Sequence, residues 1–266
     1  MSPDPPQDRS SAGLSDRVGR LLHSISSASS PHLALLLILA LGLIPAVALT
    51  IVSAEVYEAV VEDDGVAGLD QPVLDLALSL RSPGLDAAVT GFTNLAGTVG
   101  LPIIAGLVVL VMCLRWRSWT PLVLTAAAAA GSLLMTVSGK ALIGRTRPEL
   151  ADAVPPYETS ASFPSGHTLN SIVVAGILAY LLTLHLQRRS AKVAAVLAAA
   201  LFTFAVGLSR VYLGHHWLTD VLVAWTLGAA WLAVVITAHR LLRLLLKRRA
   251  GAPAPPPHRP PQTPAP

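Results

Sequence analysis

Six blocks of apolar residues alternate with short polar connections along the chain: Leu33–Ala54, Leu95–Leu114, Trp119–Ser138, Leu169–Leu186, Val193–Leu208 and Val221–Leu241. Each comes near the ~20 residues that an α-helix needs to cross a hydrocarbon core ~30 Å thick. The pattern predicts an all-α, polytopic membrane protein with six transmembrane helices. The Val193 block is the shortest and runs directly into Ser209 and Arg210, which leaves its ends the least defined. The first block ends on Val52-Ser53-Ala54, a small-residue stretch like a signal cleavage site. Its length and the long polar tail before it make it an uncleaved anchor instead. Met1–Pro31 is rich in Ser, Pro and Arg and lacks aromatic residues, and Ala250–Pro266 is largely proline and alanine, so both ends are expected to be disordered tails. The domain reading is therefore a tail over 1–31, one membrane domain over 32–249 and a Pro-rich tail over 250–266.

Composition agrees with the pattern. Of 266 residues, 53% are hydrophobic and only 13% charged, and the mean hydropathy of +0.62 lies far from that of a soluble domain. The net charge of +4 is modest and sits in tails and short loops, which fits a bilayer partner and no nucleic acid. Arg9, Arg17 and Arg20 precede the first block, Arg115 and Arg117 follow the second, and Arg188, Arg189 and Lys192 follow the fourth. Arg240, Arg243, Lys247, Arg248 and Arg249 close the sixth. All four groups fall on one side of a six-helix topology, which predicts a multi-pass protein of the cell membrane with both termini cytoplasmic. The single cysteine, Cys113, permits no intramolecular disulfide and reads as a small core residue. Oligomeric state is not legible in the sequence.

Three connections then lie on the non-cytoplasmic side: Glu55–Asn94, Gly139–Thr168 and Ser209–Asp220. In the first, Asp70 reads as a helix cap with Pro72 in the first turn and apolar residues behind it. A short helix in the membrane interface is expected there, either guiding lipid tails or packing to close the bundle.

The same side carries three clusters of polar residues at bilayer depth, where a charge costs about 2.5–3.5 kcal/mol at a helix centre. Lys140 ends the third helix, and Pro148 disfavours helical geometry at Arg147, so the helix is expected to break between the two cations. Ser165 is placed to cap a helix starting near His167, and Gly166 leaves its first amides bare, as an anion site requires. His216 and Asp220 are four apart, so on a helix they would share a face, the carboxylate holding one ring nitrogen and freeing the other to attack. Arg210 adds a third cation, whereas His215 has no evident task. Each cluster alone has a structural reading, as a snorkelling lysine, a simple cap or a structural His–Asp pair. Together they supply what phosphoryl transfer needs, namely fixed positive charge, a helix-end nest and two histidines. One Asp–His pair without a third ligand falls short of a metal site.

The motifs Lys140-Ala-Leu-Ile-Gly-Arg-Thr-Arg147-Pro148, Pro164-Ser165-Gly166-His167 and Ser209-Arg210-Val-Tyr-Leu-Gly214-His-His216-Trp-Leu-Thr-Asp220 resemble those of the type 2 phosphatidic acid phosphatase superfamily, in order and in internal spacing. That superfamily includes membrane lipid phosphatases, soluble acid phosphatases and vanadium haloperoxidases. The resemblance implies that His216 attacks phosphorus to form a phosphohistidine, that Asp220 orients it, and that His167 protonates the leaving oxygen and then activates water. It implies phosphate binding by Lys140, Arg147, Ser165, Gly166 and Arg210, with no metal and no cofactor. Arg145, off the motif, is the weaker candidate. The function expected is metal-independent hydrolysis of a membrane lipid phosphate or diphosphate at the non-cytoplasmic membrane surface. Candidate substrates are phosphatidic acid-like lipids, phosphatidylglycerol phosphate or a polyprenyl diphosphate such as undecaprenyl diphosphate. Transfer of the phosphoryl group to a lipid or sugar hydroxyl, or non-catalytic lipid handling, are the alternatives. Peroxidase chemistry fits poorly, because six spanning helices add nothing to it.

Overall fold

The computed structural model describes residues 31–250, and all regular structure among them is helical. In chain order the helices are α1 (Pro31–Glu62), α2 (Asp70–Ser79), α3 (Pro83–Asn94), α4 (Gly100–Trp116), α5 (Thr120–Ile143), α6 (Gly166–His185), α7 (Arg189–Tyr212) and α8 (Leu218–Ala250), with short 3₁₀ turns at Gly65–Leu69 and Leu150–Asp152. Of the segments expected to be disordered, only the inner edges, Pro31 and Ala250, fall among the described residues, and they are helix ends.

Five helices, α1, α5, α6, α7 and α8, are long and apolar enough to cross a membrane. The sixth expected span is α4, whose 17 residues reach about 25 Å at 1.5 Å per residue. It is shorter than the block read from sequence because Leu95–Val99 forms a turn ahead of it. Elsewhere the blocks were underestimated: α1 continues to Glu62 and α8 to Ala250. Leucine, isoleucine and valine on α1, α4, α5 and α7 point outward, as they should where the solvent is lipid.

The centre is built by α6 and α8, with Leu169, Val173, Ile177, Ala224 and Val235 in one buried cluster. Small residues let the helices approach, the usual means where lipid removes the hydrophobic drive between them. A Cβ at Gly42 on α1 would lie 1.7 Å from Thr237 Oγ1 on α8, and one at Gly228 on α8 would lie 2.3 Å from Ile172 Cγ2 on α6. Further along the first pair, Ser53 Oγ and Thr226 Oγ1 meet at 2.7 Å.

The 55–94 connection packs against the bundle. Helices α2 and α3 lie on α7, and α2 also touches α8. Arg81 donates to the carbonyl of Tyr212 through Nε at 3.1 Å and Nη2 at 2.8 Å, and Tyr212 Oη donates to Asp86 at 2.7 Å. Of the two sequence readings, closure of the bundle is the one these contacts describe. Asp70 does not cap its own helix: Leu69 holds that position, and the Asp70 carboxylate reaches across to α8.

Candidate active site

Four helix ends converge at one end of the bundle: the last turns of α5 and α7 and the first turns of α6 and α8. Helix α5 stops at Gly144, which takes the left-handed conformation at φ 61°, as C-terminal glycines commonly do. The break therefore falls between Lys140 and Arg147, as expected, with Gly144 as its immediate cause, and a run without regular structure, apart from the 3₁₀ turn, carries Arg145, Arg147 and Glu158 back over the site. A Cβ at Gly139 would lie 2.5 Å from Pro164 Cδ, so this glycine lets α5 seat against the Pro164–His167 turn. Gly214, at φ 67°, makes the turn between Arg210 and His216, where a Cβ would lie 2.1 Å from Asp152 O.

His216 and Asp220 are not on one helix. His216 precedes α8, while Asp220 sits in its first turn and accepts from the backbone N–H of Trp217 at 3.0 Å, closing the helix start in the manner of a capping box. The pairing survives this change: His216 Nδ1 lies 3.4 Å from Asp220 Oδ2, and Ser162 Oγ donates to the same carboxylate oxygen. Both side chains are buried. Burial pushes the His216 pKa down to about 3 against the raising pull of Asp220, so the ring is neutral at physiological pH. With Nδ1 toward the carboxylate, Nε2 is the free face, and it lies 3.3 Å from Arg147 Nη1.

The Asp220 carboxylate is held from behind. Arg145 donates to Asp220 Oδ1 and to Asp70 Oδ2, each at 2.7 Å, and to Thr219 Oγ1 at 2.8 Å. Asp70 in turn accepts from the Thr219 amide at 2.8 Å and its hydroxyl at 2.7 Å. Arg145 is thus part of the support for Asp220 and is not among the cations facing His167.

Lys140, Arg147, Arg210 and His167 gather around one short stretch, residues 158–161. Lys140 Nζ donates to the Ala161 carbonyl, Arg147 Nε donates to Ser160 O at 2.7 Å, and Arg147 Nη2 lies 3.3 Å from Glu158 Oε2. Arg210, 2% exposed, pairs with Glu158 Oε1, and His167 Nδ1 lies 3.9 Å from that oxygen. Burial would raise the Glu158 pKa, but Arg210 first and Arg147 next overcome it and bring it down to about 2. Sequence reasoning missed this carboxylate, since an acid in a phosphate cradle runs against simple charge matching. Ser162 and the tasks of Asp70 and Arg145 were missed too.

Ser165 stands at the N-cap position of α6, but its hydroxyl meets Thr168 Oγ1 at 2.9 Å and bonds no backbone amide. Gly166 approaches α5 so closely that a Cβ would be 3.0 Å from Thr136 Cγ2. His215 is structural: Nε2 lies 2.7 Å from Val154 O, its carbonyl accepts from Arg147, and burial, aided by Arg210, lowers its pKa to about 4.

Beneath this cluster lies a cavity of about 790 Å³ between α4, α5 and α6. Lys140, Glu158, Gly166, His167 and His216 line its polar end, and Leu122 and Cys113 its far end. From Lys140 to Leu122 it follows α5 for about 27 Å at 1.5 Å per residue. Among the described residues no group of three or more His, Cys, Asp or Glu side chains is arranged to hold a metal.

Comparison with known proteins places these features in context. The model of the PAP2 superfamily matches residues 119–243. Phosphatidylglycerophosphatase B of Bacillus subtilis (strain 168) is 35% identical over 175 residues, 65% of this chain and 84% of that protein. The crystal structure of a transmembrane PAP2 type phosphatidylglycerolphosphate phosphatase from Bacillus subtilis superposes with a TM-score of 0.68 at 30% identity, covering 73% of this chain and 96% of that one.

Proposed function

The chain belongs to the PAP2 superfamily as a membrane lipid phosphatase, and from that premise we propose that it hydrolyses a lipid phosphate through a phosphohistidine on His216. His216 Nε2 attacks phosphorus while the bond from phosphorus to the lipid oxygen breaks, and His167 gives that oxygen its proton. Water, deprotonated by His167, then attacks the phosphohistidine. The P–N bond breaks, and phosphate leaves with His216 neutral again. Asp220 holds the Nδ1 proton and stabilises the ring as it gains charge. Lys140, Arg147 and Arg210, with the amide end of α6 at Gly166, carry the charge that develops on the phosphoryl oxygens. Ser165 acts through Thr168 on the start of that helix.

The observation that carries this reading is the orientation of His216. Its buried ring has one nitrogen against Asp220 and the other beside the Arg147 guanidinium, at the mouth of a cavity long enough for a lipid tail. The substrate is a lipid phosphomonoester of the phosphatidylglycerol phosphate type, as the names of both relatives suggest, ahead of phosphatidic acid and polyprenyl diphosphates. The lysine and arginine bias supports an orientation with both termini in the cytoplasm and the site at the outer surface of the cell membrane. Purified full-length protein in detergent with a chelator should release phosphate from short-chain phosphatidylglycerol phosphate, and His216→Ala should lower kcat by at least about 10³-fold, the scale seen when an acting nucleophile is removed. Activity that needs added metal, or that survives the substitution, contradicts the mechanism.

A further inference from the structure

Among the polar side chains of the lipid-facing cavity that the mechanism leaves over, Asn170 stands nearest to His167 along α6. His167, Asn170 and Val174 line the same wall, spaced three and four apart on one face of α6. Asn170 lies one turn below His167, about 4.5 Å along the axis, and its Cβ tilts back toward the helix start. Its amide therefore lies just beyond the point where the leaving oxygen meets His167. Below it the lining is mostly apolar, with Leu101, Val109, Leu133 and Val174, although Thr125 also faces the cavity.

The amide is turned by Ser132, whose hydroxyl also lies 3.0 Å from the carbonyl of Ala129. Asn170 Oδ1 accepts from Ser132 Oγ at 2.6 Å, a separation typical of O–H···O and short for N–H···O. This leaves the NH₂ group facing away from Ser132, and its nitrogen makes no hydrogen bond among the described residues. Ser132 is fully buried on α5. An amide with free N–H groups at membrane depth is costly unless something supplies an acceptor. The fixed cations lie at the cradle above, so an acceptor at this depth is one that the phosphoryl group does not supply.

We propose that Asn170 makes the enzyme selective for lipids built on glycerol 3-phosphate, by donating to the oxygen on the carbon next to the phosphorylated methylene. This rests on the lipid-phosphatase reading of the same site. That oxygen is a free hydroxyl in the head group of phosphatidylglycerol phosphate and an acyl ester in phosphatidic acid. A polyprenyl phosphate has only carbon there, and a diphosphate has a second charged phosphoryl group. Asn170 is thereby a specificity residue, and Ser132 is the positioning residue that turns it.

The test compares kcat/KM of the full-length wild type and Asn170→Leu on three substrates: short-chain phosphatidylglycerol phosphate, short-chain phosphatidic acid and farnesyl monophosphate. The preference for the glycerol lipids over farnesyl monophosphate should fall about tenfold in the variant, the loss of one hydrogen bond to substrate. Ser132→Ala should lower the preference in the same direction. A larger fall with phosphatidylglycerol phosphate assigns the hydroxyl as the acceptor, and a larger fall with phosphatidic acid assigns the ester. An equal loss on all three substrates, or no change in preference, overturns the assignment while leaving the phosphatase reading intact. A wild type that releases phosphate from none of the three overturns both.

Discussion

Glu158 engages the cations that a phosphoryl group also needs, Arg210 through Oε1 and Arg147 through Oε2. Because those cations bring its pKa down to about 2, it carries a full negative charge throughout the working pH range, and under the proposed mechanism it would compete with a substrate dianion. Glu158→Gln keeps the reach of the side chain and removes the charge. Inhibition by inorganic phosphate should then tighten about 5–10-fold, some 1–1.4 kcal/mol by the logarithmic relation of affinity to free energy. The pH profile between pH 5 and 8 should keep its wild-type shape, since Glu158 does not titrate there. An unchanged phosphate inhibition constant would show that the carboxylate does not compete. No local signal announces such a residue. Its partners lie 11 and 52 positions away, and a lone glutamate in an outer loop looks like any solvated one.

At the scale of elements, hydropathy was a good guide to the helices and a poor one to their ends. Lipid imposes apolar runs of known length, so the spans could be read directly, but the ends depend on turn chemistry and on contacts across the bundle. Gly144 stops α5 before Pro148 has any say. His216 lies ahead of α8, so the four-residue spacing to Asp220 works across a helix start and not along a helix face. Asp70 closes the start of α8 from 149 positions away, and only the fold reveals that. The linkage of α2 to α8 has a consequence for turnover. Asp70→Asn keeps an acceptor for the Thr219 amide but removes the charge opposite Arg145, loosening the group that holds Asp220. It should lower kcat about tenfold, roughly 1.4 kcal/mol of barrier, with KM within about twofold. A parallel loss of KM, or an unaltered kcat, would argue that Arg145 and Asp70 only hold the fold together.

For the whole molecule, the arrangement separates two tasks. The end where α5, α6, α7 and α8 meet collects charge and histidines, while the cavity between α4, α5 and α6 is lined mainly by apolar side chains. On the proposed reading a phosphate at the polar end and a lipid tail below it share one continuous site, and the three motifs, 81 residues from Lys140 to Asp220, are drawn together by the antiparallel order of the helices. The central claim is that the phosphoryl group passes through His216. Its most direct test is an alkaline quench of the purified protein during turnover of a lipid radiolabelled in its phosphate, followed by peptide mapping. The account predicts alkali-stable, acid-labile label on the peptide carrying His216, and none in His216→Ala. Turnover without labelled protein, or label on any other residue, would contradict it.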